Sequence, residues 1–377
     1  MARIARRNKV ELQPSDVASR LVSWFATSAR DLPWRHTLDP YAIWVSEAML
    51  QQTQVRTVIP YWTRWMQRLP TVQDLANAHL DEVLKLWEGL GYYRRARHLH
   101  SAARRVMAVQ GGRLPVHSDD WLALPGIGRY TAGAIASIAF NEPAPILDGN
   151  VARVVSRLMT MAGSPKDRST SAVLWSQAKL IVEAAQALPT PAPLPHAPLV
   201  QLSGPCSAVN QSLMELGALV CTPANPSCSS CPLREPCRAH AMGRTADFPS
   251  VSTRPATTRR TRVAVLWHRS GRWLVRQRPG DDVNGGLWEF PGLECGPGDD
   301  PKSVLARWLG VEPSQLALAG TIRHAITRHR ISQHFFRLEG PASRPATPAD
   351  AEWKTVQEIE ALAWTAAHRR ALALARF

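Results

Sequence analysis

Residues 124–140 read LPGIGRYTAGAIASIAF, and the fold class hangs on them. Pro125 ends one helix, and the apolar spacing after Tyr130 begins another. Between the two, Gly126 and Gly128 permit unusual dihedrals and close backbone approach. N–H groups left free ahead of a helix N-terminus suit a phosphate oxygen. A hairpin that uses only its backbone holds DNA without reading sequence. A PGIG turn alone is weak evidence, because many helical hairpins turn on glycine.

Downstream stand Cys221, Cys228, Cys231 and Cys237, spaced C-x6-C-x2-C-x5-C. A run this tight strains ordinary disulfides but folds readily around one metal centre. Four thiolates without histidine suit a structural zinc or a four-iron cluster, and spacing leaves both open. A disulfide framework needs an oxidising compartment. The N-terminus MARIARRNKVELQPSD is basic without an apolar core, and no stretch is long and apolar enough to span a bilayer. The expectation is a cytoplasmic metalloprotein, with Cys206 and Cys295 as isolated packing residues.

The chain has 377 residues, enough for two domains, and 45 Lys and Arg against 30 Asp and Glu, a net charge of +15. Arg dominates, which suits bidentate phosphate contacts, so the favoured partner is a nucleic acid. Helical periodicity recurs from residue 17 to about 240. The proline-rich stretch 188–205 reads as a surface excursion, and 241–262, rich in Ser, Thr, Pro and Arg, as a basic linker. Beyond it RVAVLWHR, RWLVRQRP and ISQHFFRLE read as strands. The expected partition is a mainly α domain over 1–240, carrying the cysteine loop at 221–237, and a smaller α/β domain over 263–377.

Hairpin, downstream Asp148 and cysteine loop, in this order, resemble the helix-hairpin-helix DNA glycosylases over residues 17–240. That resemblance implies a [4Fe–4S] cluster on the four cysteines. Three positions then divide the family. Members similar to endonuclease III carry a nucleophilic Lys where this chain has Tyr130, so a strand-cleaving lyase is disfavoured. SEAMLQQTQV (46–55) closely resembles MutY-type adenine DNA glycosylases, whose matching Glu protonates the departing purine at N7. Taken alone, Glu47 would read as a structural carboxylate paired with an Arg. On a largely apolar helix face, its pKa is expected to rise, as a general acid requires. Asp148, at a helix N-terminus, is expected to stay ionised and stabilise a sugar cation, with Tyr130 and Asn150 orienting the groups.

The resemblance extends to binding. Trp34, Arg35, Gln211 and Met214 would line an adenine pocket, while Gln52, Leu90 and Tyr92 would wedge the gap left in the base stack. GGLWEFPGLE (285–294) resembles Nudix-type domains, without the glutamate-rich catalytic helix. Its expected lesion-sensing loop, RHAITRHRI (323–331), offers Thr327 and Arg328, with His329 displaced by one from the family pattern. The implied partner is double-stranded DNA carrying an adenine:8-oxoguanine or adenine:guanine mispair, bound by a monomer. A bifunctional pyrimidine glycosylase/lyase and a non-catalytic lesion-binding protein are the competing readings.

Overall fold

The computed structural model describes residues 12–250, 256–280, 282–339 and 348–375. They form two compact units, Met1–Asn77 with His98–Thr253, and Ala78–Arg97 with Arg254–Phe377.

The first unit is helical. In the helix Pro40–Leu50, Asp39 accepts the Tyr41 N–H at 3.0 Å, and Pro40 occupies the first turn, where its missing donor costs nothing. Every residue from Tyr41 to Met49 is buried. A helix apolar on all sides runs through a core, not over it, so any carboxylate it carries is buried too. Trp44 meets Trp121 edge-on at 5.5 Å, an arrangement that contributes about 0.5–1.5 kcal/mol beyond burial. The helix Pro205–Leu219 is buried in the same manner over most of its length.

The expected hairpin joins Ser118–Leu122 to Arg129–Phe140. Gly126 has φ +76°, and a Cβ there would stand 2.3 Å from that of His98, so only glycine fits. Gly128 departs from expectation. Its φ of −96° is ordinary extended backbone with open space around it, and it serves as the N-cap.

The proline-rich stretch runs over the surface, as expected, but three of its side chains anchor it. Leu194, Ala197 and Val200 are buried against Phe25 and Ala29. His196 bonds the Ala29 carbonyl at 3.0 Å, and Gln201 N–H bonds that of Arg35 at 2.8 Å. Ala197 N–H bonds the Leu194 carbonyl at 3.1 Å and Val200 N–H that of Ala197 at 3.0 Å, so successive turns bring these three residues to the covered side.

The second unit contains β1 (Thr258–Leu266), β2 (His268–Arg269), β3 (Arg272–Gln277), β4 (Trp288–Glu289), β5 (Gly292–Cys295), β6 (Leu316–Ile326), β7 (His329–Leu338) and β8 (Ala351–Thr355). One sheet runs β5-β1-β7-β6, with β1 and β7 parallel. The other runs β2-β3-β4, with β8 antiparallel to β3. Alternation along β1 serves two cores. Ala264 and Leu266 pack with Phe290, Phe335 and Trp364, while Val263 and Val265 pack with Leu305 and Leu309 of the helix Pro301–Leu309.

Two boundaries differ from the sequence reading. β1 begins inside the supposed linker, because its arginines pair through backbone with Arg330–Gln333 of β7. Residues Ala78–Arg97 join the second unit. The stretch 323–331, expected as a loop, is the end of β6, a tip at Thr327 and Arg328, and the start of β7.

Candidate active site

A cavity of about 700 Å³ opens in the helical unit. Glu47, from the buried helix Pro40–Leu50, reaches it at 5% exposure. Tyr130 enters from the first turn after the hairpin and donates its O–H to Glu47 Oε2 at 2.8 Å, with Met214 Sδ 3.0 Å away. Asp148 caps the helix Gly149–Met159, accepting the Val151 N–H at 2.7 Å and the Asn150 side-chain amide at 3.1 Å. Trp34, Arg35, Gln52, Gly126, Gly128, Asn150, Gln211 and Met214 also line the space, so it gathers every expected residue of this unit except the cysteines.

Burial pushes the Glu47 carboxyl up to about 7. The Tyr130 hydroxyl pulls it down, the Asp148 charge pushes it up, and Arg35 pulls it down least. Burial, then the Glu47 charge, raise the Tyr130 phenol well above its ordinary value, so it stays a donor. Asp148 also moves upward, because burial outweighs its bonds to the Val151 and Asn150 amides and the nearby Arg153. At Asp148 desolvation therefore works against the helix-end preference for the ionised form. Burial nonetheless lifts Glu47 into the neutral range, and the Asp148 charge contributes to that rise. The pair is thus suited to divided roles, one acid and one anion.

Arg30 and Glu215, not anticipated, complete the cavity wall. Glu215, 1% exposed, accepts from Arg30 Nη2 at 2.7 Å and from Arg35 Nη2 at 3.1 Å. Burial pushes it up, but the two guanidinium groups override that and hold it below its ordinary value. An acid one residue after Met214, inside an apolar helical run, was the available signal.

The remaining expected residues lie elsewhere. Leu90 is 6% exposed and belongs to the interior, whereas the Tyr92 ring is 48% exposed. Gln52, Tyr92 and Thr327 have φ of +58°, +50° and +50°. A non-glycine residue there costs about 1 kcal/mol or more and concentrates at functional sites. Thr327 and Arg328 are exposed at the β6–β7 tip.

The four cysteines line a separate void with Arg157, Arg234 and His240. Arg157 donates to Cys221 Sγ at 3.3 Å and to the Thr222 carbonyl at 2.8 Å. Burial pushes the Cys231 thiol up to about 12 and raises Cys237 as well. Thiols so placed ionise only when a bound cation compensates the charge, so the donor set fits a metal centre.

A family model described as HhH-GPD superfamily base excision DNA repair protein matches residues 45–187, and a NUDIX domain model matches 262–374. The chain is 35% identical to the adenine DNA glycosylase of Homo sapiens over 93% of its own length and 72% of the human protein. It is 39% identical to that of Arabidopsis thaliana, over 75% of this chain and 48% of the plant protein. Among solved structures, a thermostable thymine-DNA glycosylase is similar with a TM-score of 0.51 and 28% identity, over 61% of this chain and 97% of that one.

Proposed function

We propose a function from one premise: the chain belongs to the adenine DNA glycosylase family of HhH-GPD base excision repair proteins. It is a monofunctional DNA glycosylase, hydrolysing the N-glycosidic bond of adenine in DNA. The adenine it removes stands opposite 8-oxoguanine or guanine, and Thr327 and Arg328 meet that opposing base. The fit of the β6–β7 tip, exposed and holding Thr327 in the left-handed region, supports this part of the reading.

The observation that carries the chemistry is the near-neutral Glu47 bonded to Tyr130 and sharing one cavity with Asp148. Adenine turns out of the stack into the cavity, where Trp34 and Met214 offer apolar contact and Gln211 an amide. Glu47, about half protonated near neutral pH, hands its proton to N7 in the protonated fraction. The glycosidic bond breaks, electrons go to the base, and Asp148 faces the cationic sugar. Glu47, now a carboxylate steadied by the Tyr130 O–H, takes a proton from the water that attacks the sugar. Tyr130 and Asn150 hold the two carboxyl groups in place, while Gln52 and Tyr92 fill the vacated stack. Among the described residues no lysine lines the cavity, which leaves no amine for a Schiff base.

Cys221, Cys228, Cys231 and Cys237 would hold a [4Fe–4S] cluster. The four cysteines line one void, and the family resemblance makes the four-iron cluster the reading preferred over zinc. The cluster would brace the loop that follows the helix Pro205–Leu219, and no step passes through it.

Single-turnover assays on duplexes with adenine opposite 8-oxoguanine, guanine and thymine test the reading. Release opposite 8-oxoguanine and guanine, with no adduct trapped by borohydride, is expected. No release, or a trapped adduct, refutes it.

A further inference from the structure

Ala78–Arg97 belongs to the second unit, and a set of polar contacts accounts for it. Lys85 Nζ donates to the carbonyls of Glu360 at 3.0 Å and Leu362 at 2.8 Å, where the helix Val356–Ala361 ends. Carbonyls at a helix end lack intrahelical partners, so a cation suits the position. Glu88 accepts the Trp364 N–H at 3.1 Å and lies 2.9 Å from Lys85 and 3.7 Å from Arg369. Asp81 accepts from Gln277 at 3.2 Å, and Arg97 donates to the Gly285 carbonyl. The Trp364 indole is fully buried in the core of this fold. An exposed ion pair alone would mean little, but here Lys85 and Glu88 also bond main-chain groups of 360–364, a stretch that runs from the surface to the buried Trp364.

The loop that follows Glu88 is held stiffly. Trp87 Nε1 and Arg95 Nη2 both donate to the Gly91 carbonyl, at 3.1 and 3.0 Å, and Gly89 N–H donates to the Tyr93 hydroxyl at 3.0 Å. The Arg95 guanidinium lies over the rings of Trp87 and Tyr92, at 5.2 and 5.6 Å. A displacement at Glu88 is thereby carried to Tyr92 instead of being absorbed.

We propose that Lys85 and Glu88 are positioning residues, a clasp by which the fold that bears Thr327 holds the loop that presents Tyr92. Preference for the base opposite the adenine then depends on this pair. The inference rests on the function proposed above, in which Tyr92 enters the stack and the β6–β7 tip meets the opposing base.

The test compares the full chain with Glu88→Ala, Glu88→Gln and Lys85→Met. Losing a charge-assisted bond to a main-chain N–H predicts that Glu88→Ala slows release opposite 8-oxoguanine about tenfold and release opposite guanine by less than about twofold. Glu88→Gln keeps an acceptor oxygen for Trp364 and loses less. Equal slowing on both duplexes, as a merely structural role would give, or no slowing on either, overturns the proposal. Amide hydrogen exchange without DNA is the second readout. In Glu88→Ala, protection is lost at Trp364 and across 89–93 but kept across 129–140, and unchanged exchange overturns the clasp whatever the rates. If the native chain releases no adenine, the function fails, and exchange still judges the clasp.

Discussion

Glu47→Gln should move activity and stability in opposite directions. Folding lifts the Glu47 carboxyl from 4.5 to about 7. Between those values the folded chain keeps a proton that the unfolded chain has released, so unfolding becomes easier as pH rises. The loss begins above pH 4.5, is complete a little above 7, and stays constant thereafter. Two and a half pK units correspond to about 3 kcal/mol. Glutamine keeps the volume and an acceptor for the Tyr130 hydroxyl, but it never charges. The variant should match the native chain near pH 5 and exceed it by up to about 3 kcal/mol at pH 8. At about 2–4 °C per kcal/mol, the helical unit's calorimetric transition should rise by roughly 6–12 °C at pH 8. Adenine release by the same variant should vanish at every pH. A stability difference that does not vary between pH 5 and 8, or a variant less stable at pH 8, refutes the burial argument for a poised acid.

Two further expectations follow from the same geometry. Tyr130→Phe removes a bond that favours the Glu47 carboxylate, worth about 1.5–3 kcal/mol. The falling limb of the second-order rate of adenine release, with its midpoint near 7 in the native chain, should therefore shift about one to two pH units higher; an unmoved limb sinks the assignment. Cys237→Ser should lower iron content and visible absorbance and destabilise the helical unit in thermal scans, whereas one zinc per native chain would refute the cluster.

The parts legible in sequence were those set by local chemistry. Asp39-Pro40 marked a helix start, PGIG marked a hairpin, and Asp148 marked a cap, because each depends on neighbours within a turn. The cavity's members were legible through resemblance, since their spacing along the chain says nothing of their meeting. β6 escaped because its residues alternate between half-buried and exposed, leaving no strong apolar stripe. The surface course of the proline strap was legible but its anchoring was not, because proline content reports backbone shape and not which side chains are covered. Leu194, Ala197 and Val200, three residues apart, were the inward-facing signal.

The deepest omission concerns Arg35. A guanidinium beside a buried carboxyl ordinarily lowers its pKa by one to three units, which would ionise Glu47 and disable it as an acid. Arg35 nevertheless has the weakest of the four influences on Glu47. Its nitrogens are spent on Glu215 and on the Arg30 carbonyl, and it lies over the Phe25 ring at 5.1 Å. Glu215, 180 residues away in sequence, neutralises the charge that would otherwise reach the acid. The Arg35 side chain therefore shapes the cavity without discharging Glu47. That distinction depends on a buried partner which no local pattern around Leu32–His36 could announce.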